Sequence, residues 1–63
     1  MTIQETMIAV RLEAGLTQVE LAKLMRTGQP AIARMESGRV NPTLTTLEKL
    51  AEVTGKRLEV RFL

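Results

Sequence analysis

The chain is predicted to be all-α, a bundle of four to five short helices whose C-terminal β-strand pairs across a dimer. Three observations predict it. Two S/T-x-x-E boxes, Thr2-Ile3-Gln4-Glu5 and Thr17-Gln18-Val19-Glu20, mark helix starts. Apolar residues recur at steps of three and four through most of the chain. After Gly55 the period changes to two, with Leu58, Val60 and Phe62 alternating with Arg57, Glu59 and Arg61.

In the first helix the Thr2 hydroxyl and Glu5 carboxylate satisfy backbone N–H groups that have no partner at a helix start. Ile3, Met7, Val10 and Ala14 form its inward stripe, and Gly15 supplies the left-handed residue that ends it. The second helix opens at Thr17, with Leu16 and Leu21 placed as a hydrophobic staple. Leu21, Ala22 and Met25 form its buried edge. Gly28-Gln29-Pro30 opens the third, since proline is tolerated in a first helical turn. Ile32, Met35 and Glu36 lie on its inward side, and Gln29, Pro30, Ala33, Arg34 and Ser37 on the other, before Gly38 ends it. Val40-Asn41-Pro42 is a turn, and Thr43 caps a fourth helix with the stripe Leu44, Leu47, Leu50 and Ala51, closed by Gly55. Ile8, Leu12 and Leu24 are apolar where polar residues are expected, either scattered surface residues or a partner site.

At 63 residues the chain is one small domain, and a chain of this size buries only about 60% of the surface exposed when unfolded. Apolar residues at 44% and charged residues at 25% fit a folded protein rather than a disordered one. The absence of Cys and His removes disulfides, thiolate nucleophiles, the usual zinc sites and imidazole acid–base chemistry. With Asp and Tyr also absent, nothing pairs a nucleophile with a base, so an enzyme is not expected and no cofactor or metal is called for. One aromatic residue, Phe62, is too few for base-stacking platforms. No apolar run suggests a membrane span or a signal peptide, and the expected location is the cytoplasm. The net charge of +2 suits a nucleic-acid binder but does not distinguish one.

The informative stretch runs from Gln18 to Ser37. Two short helices are joined by the turn Arg26-Thr27-Gly28, with small Ala22 where the helices approach and Ile32 as an apolar plug. This is the layout of a helix-turn-helix, whose second helix enters the DNA major groove. The third helix offers Gly28, Pro30, Ala31 and Ala33 for close approach, and Gln29 and Arg34 as long side chains. Gln bonds bidentately to adenine, Arg to guanine, and Ala or Pro touches a thymine methyl. For Arg34 both a base and a phosphate are open. Gln18, at a helix start, is placed for a phosphate. Arg39 and Asn41 follow the recognition helix and suit a second one.

The sequence resembles the lambda-repressor-like (Cro/repressor, or XRE) helix-turn-helix family. The resemblance rests on Gly15-Leu16-Thr17-Gln18, Glu20-Leu21-Ala22, Gln29-Pro30-Ala31-Ile32, Met35-Glu36-Ser37-Gly38 and Asn41-Pro42-Thr43-Leu44, and covers roughly residues 7–55. It implies a DNA-binding unit over residues 1–55, with Gln18, Thr27, Gly28, Gln29, Pro30, Ala33, Arg34, Arg39 and Asn41 at the DNA. It also implies a structural ion pair between Arg11 and Glu36. One position departs: where the family often has Gly, the turn has Arg26, which must accept an awkward backbone conformation at a cost of about 1 kcal/mol.

Residues 56–63 are expected to be the dimerisation strand. A lone strand needs a partner, and the simplest is the same strand of a second copy, burying Leu58, Val60 and Phe62. The ending Gly55-Lys56-Arg57-Leu58-Glu59-Val60 resembles HigA-like and HipB-like antitoxins. That likeness implies a homodimeric repressor that binds a pseudo-palindromic double-stranded operator, autoregulates its promoter and holds a cognate toxin. A free-standing or phage-type regulator and a protein-binding adaptor remain the alternatives.

Overall fold

The computed structural model describes residues 1–63 and contains four α-helices: α1 (Ile3–Glu13), α2 (Gln18–Leu24), α3 (Gln29–Glu36) and α4 (Leu44–Thr54). The lower of the two expected helix numbers is therefore the right one. Both capping boxes are formed. The Thr2 and Thr17 hydroxyls each accept a bond from the backbone N–H of the Glu three residues on, at 3.1 Å, and each Glu carboxylate accepts one back at 2.8 Å. These bonds, first to the backbone N–H of the capping Thr and then to its side chain, hold the Glu5 and Glu20 carboxyls below their ordinary range. Thr43 caps α4 through the Thr46 N–H.

All four helices end in the same way. A residue with positive φ follows the last turn, and the next N–H reaches back to the helix: Leu16 to the Arg11 carbonyl, Thr27 to Ala22, Arg39 to Arg34, and Lys56 to Ala51. This is the Schellman motif, which satisfies carbonyls otherwise left without donors. Gly15, Gly38 and Gly55 take the left-handed position in three of them, and Arg26 in the fourth, with φ at 58°.

The core is Met7, Leu21, Ala22, Ile32, Met35 and Leu50, with Val10, Leu16, Met25, Leu47 and Val53 packed around it. Ile32 is completely buried and Ala22 nearly so, as their places in the two-helix unit require. α3 is thus the central element, packed on both α1 and α2.

Two expected features are corrected. The α1 stripe is narrower than its spacing implied, because Ile3 is 42% exposed and Ala14 lies exposed at the C-cap. Leu44, assigned to the inward stripe of α4, is 59% exposed, and burial begins only at Leu47. Both ends project past the small core, which four short helices cannot extend. Residues 56–63, expected to pair across a dimer, form no ladder within the single chain. A ladder needs donors and acceptors on a neighbouring strand, and this chain contains no second one. Of the three unexpected apolar residues, Ile8 is half-buried while Leu12 and Leu24 are exposed.

Candidate nucleic-acid interface

The α2–turn–α3 unit is fastened from within. The Arg26 N–H bonds to the Lys23 carbonyl and the Thr27 N–H to that of Ala22, at 3.2 and 2.9 Å. This reverses the chain over Arg26-Thr27-Gly28, after which α3 starts with Gly28 at its N-cap and proline in its first turn. No side chain caps α3.

A chain of polar side chains then joins α1, α2 and α3. The Arg11 guanidinium meets Glu36 in a fork, Nε to Oε2 at 2.7 Å and Nη2 to Oε1 at 3.0 Å. Its Nη1 donates to the Leu16 carbonyl at 2.9 Å, so one side chain ties α1, the loop before α2 and α3. The Arg11 and Glu36 side chains are only 12% and 5% exposed. Fork geometry and extra bonds are what a charge pair at this depth requires, and loss of one partner leaves the other buried and unpaired. Glu36 Oε1 also accepts from Gln18 Nε2 at 2.9 Å, and Gln18 Oε1 accepts from Gln29 Nε2 at 2.8 Å.

The two glutamines are therefore not independent. The amide of Gln18 is oriented by a carboxylate, and that orientation in turn fixes Gln29. Gln29 retains its Oε1 and one amide hydrogen, an acceptor and a donor side by side. Gln18 retains one amide hydrogen. A side chain held in place loses less entropy on meeting a ligand than a free one.

The rest of the candidate surface is distributed around this network. Thr27, Gly28, Pro30, Arg34, Arg39 and Asn41 are exposed, while Gln29 and Ala33 are half-buried. Arg34 and Arg39 form no ion pair within the chain. Between Leu21 and Leu47 the only carboxylate is Glu36, against Lys23, Arg26, Arg34 and Arg39. Glu36 faces Arg11 inside the fold, and Glu20 at the start of α2 is the one outward acid of this unit, so its outer surface carries a net positive charge. That arrangement attracts polyanions even though the whole chain is close to neutral.

The structure brings together Arg11 and Glu36, as the family resemblance implies, and extends that pair into a network the sequence did not reveal. Gln18 and Gln29 were assigned separate roles because they lie eleven positions apart on different helices. For Leu16 the sequence signals only an apolar contact, and the bond its carbonyl accepts from Arg11 is a further feature. Nothing in a residue's type signals that its backbone accepts a bond from another helix.

Comparison with known proteins agrees with this architecture. The family described as helix-turn-helix matches residues 7–60. An uncharacterized HTH-type transcriptional regulator of Haemophilus influenzae is 43% identical over 86% of this chain and 55% of its own length. The immunity repressor protein of Bacillus phage phi105 is 40% identical over 87% of this chain and 38% of its own. The antitoxin HigA1 of Mycobacterium tuberculosis is 36% identical, over 89% and 38%. The chain thus spans about half or less of the length of these relatives. No solved structure gives a significant match. The chain belongs to the helix-turn-helix family, XRE type.

Proposed function

We propose that this member of the helix-turn-helix family is a sequence-specific transcriptional repressor, and not an enzyme, that binds duplex DNA with α3 in the major groove. The observation that carries the reading is the bond from Gln29 to Gln18, anchored on Glu36. It presents the free donor and acceptor of Gln29 at the start of α3, where recognition helices meet base edges. That pair complements N7 and N6 of adenine. Arg34 lies one and a half turns further along and is exposed for a guanine or a phosphate. Thr27, Gly28, Pro30 and Ala33 allow close approach. Arg39 and Asn41, with the remaining amide hydrogen of Gln18, serve the sugar–phosphate backbone.

Selection of binding sites from random duplexes, at two salt concentrations, tests this. Gln29→Ala and Arg34→Ala should each cost about 1–3 kcal/mol and relax preference at one or two base pairs. Gln18→Ala should weaken all sequences with little change in salt slope, and should also loosen preference where Gln29 reads. If Gln29→Ala and Arg34→Ala leave both the selected motif and the affinity unchanged, α3 is not the reading helix, and a protein-binding adaptor is the better account.

The repressor acts as a homodimer on a pseudo-palindromic site. Leu58, Val60 and Phe62 are all exposed in the single chain, Phe62 completely. Leu58 and Val60 also border an apolar groove of about 680 Å³ with Ile3, Met7, Val10 and Leu47. Pairing the segment with its copy would cover both surfaces. The likeness to HigA1 favours an antitoxin that represses its own operon and binds a toxin, whereas the likeness to a phage immunity repressor favours a free-standing regulator. Co-expression with the product of the adjacent reading frame separates the two: a stable complex that neutralises a toxic product supports the antitoxin. A DNA-binding regulator with no helix long and apolar enough to cross a membrane belongs in the cytoplasm.

A further inference from the structure

We infer that Arg26 is a DNA-backbone contact, a cation retained in the turn because its partner is a phosphate outside the fold. The inference rests on the DNA-binding reading above and adds a residue to it. The four helix ends form an internal control. Each uses the same pair of reversing hydrogen bonds and each needs a residue with positive φ. Three use glycine, for which that conformation carries no steric penalty. Only α2, the end that leads into the recognition helix, uses a bulky side chain, and Arg26 is the one non-glycine residue of the chain with positive φ.

No contact of the arginine side chain inside the protein offsets that strain. The Arg26 side chain is exposed and forms no ion pair and no hydrogen bond. Any partner for the guanidinium must therefore come from outside. Its surroundings select an anion. Thr27, the next residue, borders a groove of about 310 Å³ with Lys49, Thr45 and Thr46, and no carboxylate lines it. Lys49 is half-buried and is likewise unpaired. Arg26 lies three residues before Gln29, so an anion held there sits beside the start of the reading helix. A phosphodiester oxygen meets each of these conditions.

The test compares Arg26→Gly, which removes both charge and strain, with Arg26→Ala, which removes the charge and keeps the left-handed strain. The probe is the duplex that wins the selection from a random pool, titrated at 50 and 200 mM salt. Both variants should bind more weakly to selected and unselected duplexes alike. Raising the salt should cost each variant about three- to fourfold less affinity per subunit than it costs the parent, the effect of one lost phosphate contact. Arg26→Gly should also melt about 4 °C higher than the parent, whereas Arg26→Ala should not melt higher. If both variants keep the parent's affinity and salt slope, Arg26 is merely tolerated in the turn and the inference falls while the DNA reading stands. If the parent shows no salt-dependent binding to any duplex, both fall.

Discussion

The α2–α3 unit and the C-terminal segment are opposites in how they treat their bonding groups. In the first, polar side chains are tied to one another inside the chain: Arg11 to Glu36, Glu36 to Gln18, and Gln18 to Gln29. No buried side-chain nitrogen or oxygen in the protein lacks a partner. In the second, Leu58, Val60, Phe62 and Leu63 are all exposed, and the links are surface ion pairs, Lys56–Glu13 and Arg61–Glu59. Such pairs are worth about 0–1 kcal/mol. The difference teaches where the folding unit ends. The helix-turn-helix unit pairs its polar groups within one copy, whereas the last eight residues leave their apolar side chains exposed.

The sharpest way to break this contrast is in the core. Ile32→Ala should cost about 2–5 kcal/mol, because Ile32 is completely buried between helices. A domain of this length has only about 3–9 kcal/mol in total, so the variant should be largely unfolded by circular dichroism. Phe62→Ala should leave the stability of the monomer within about 0.5 kcal/mol of the parent. If the two substitutions cost the same, the tail is part of the folding unit and the contrast is wrong.

The polar network gives a second comparison. Arg11→Ala and Glu36→Ala should each destabilise by about 3 kcal/mol in urea titrations, while the double change costs less than their sum. Each single change strands a buried charge and the double change removes both. Two singles within about 0.5 kcal/mol of the parent would mean that the fork does not contribute to the fold.

Removal of residues 57–63 should act mainly on association. Stability extrapolated to the monomer should change by less than about 1 kcal/mol, but sedimentation should show a monomer, and operator binding should weaken because each half-site alone is a poor target. Full-length chain that sediments as a monomer at tens of micromolar would remove the strand-paired dimer.

The smallest effect concerns the capping boxes, which belong to the complete half of the molecule. Hydrogen bonds to Thr17 depress the Glu20 carboxyl in the folded state below its ordinary value of 4.5. A depressed carboxyl contributes stability that is full above its unfolded value and is lost as pH falls through the folded one. The parent should therefore lose stability on acidification below about pH 4.5, and Glu20→Gln should flatten that limb slightly. An acid limb unchanged in the variant would show that the box does not report on folding.

Much of the fold was legible because its signals are local. A capping box occupies four consecutive residues, as at Thr2 and Thr17, and the left-handed endings at Gly15, Gly38 and Gly55 are declared by the one residue that takes that backbone freely. The start of α2 and the end of α3 follow from such signals. The stripes were less exact. Spacing placed Ile3 and Leu44 inward, but periodicity gives a direction around the helix and not the distance to a neighbour, and both lie beyond the reach of the core. Arg26 shows the same division from the other side. The family pattern flagged the position, yet only the dihedral angle shows that arginine occupies the left-handed region there.

The sequence by itself determined where the helices begin and end, which residues plug the helix-turn-helix, and which side chains face outward on α3. These depend on backbone propensity, on hydrogen bonds within a few residues and on apolar spacing, all of which act along the chain. Only the tertiary structure decided that Gln29 is held by Gln18, that Gln18 is held by Glu36, and that Arg11 reaches the Leu16 carbonyl as well. Those bonds join residues from different elements at distances near 3 Å, and that proximity is set by how α1, α2 and α3 pack around Ile32. Packing turned two separate glutamines into one oriented pair.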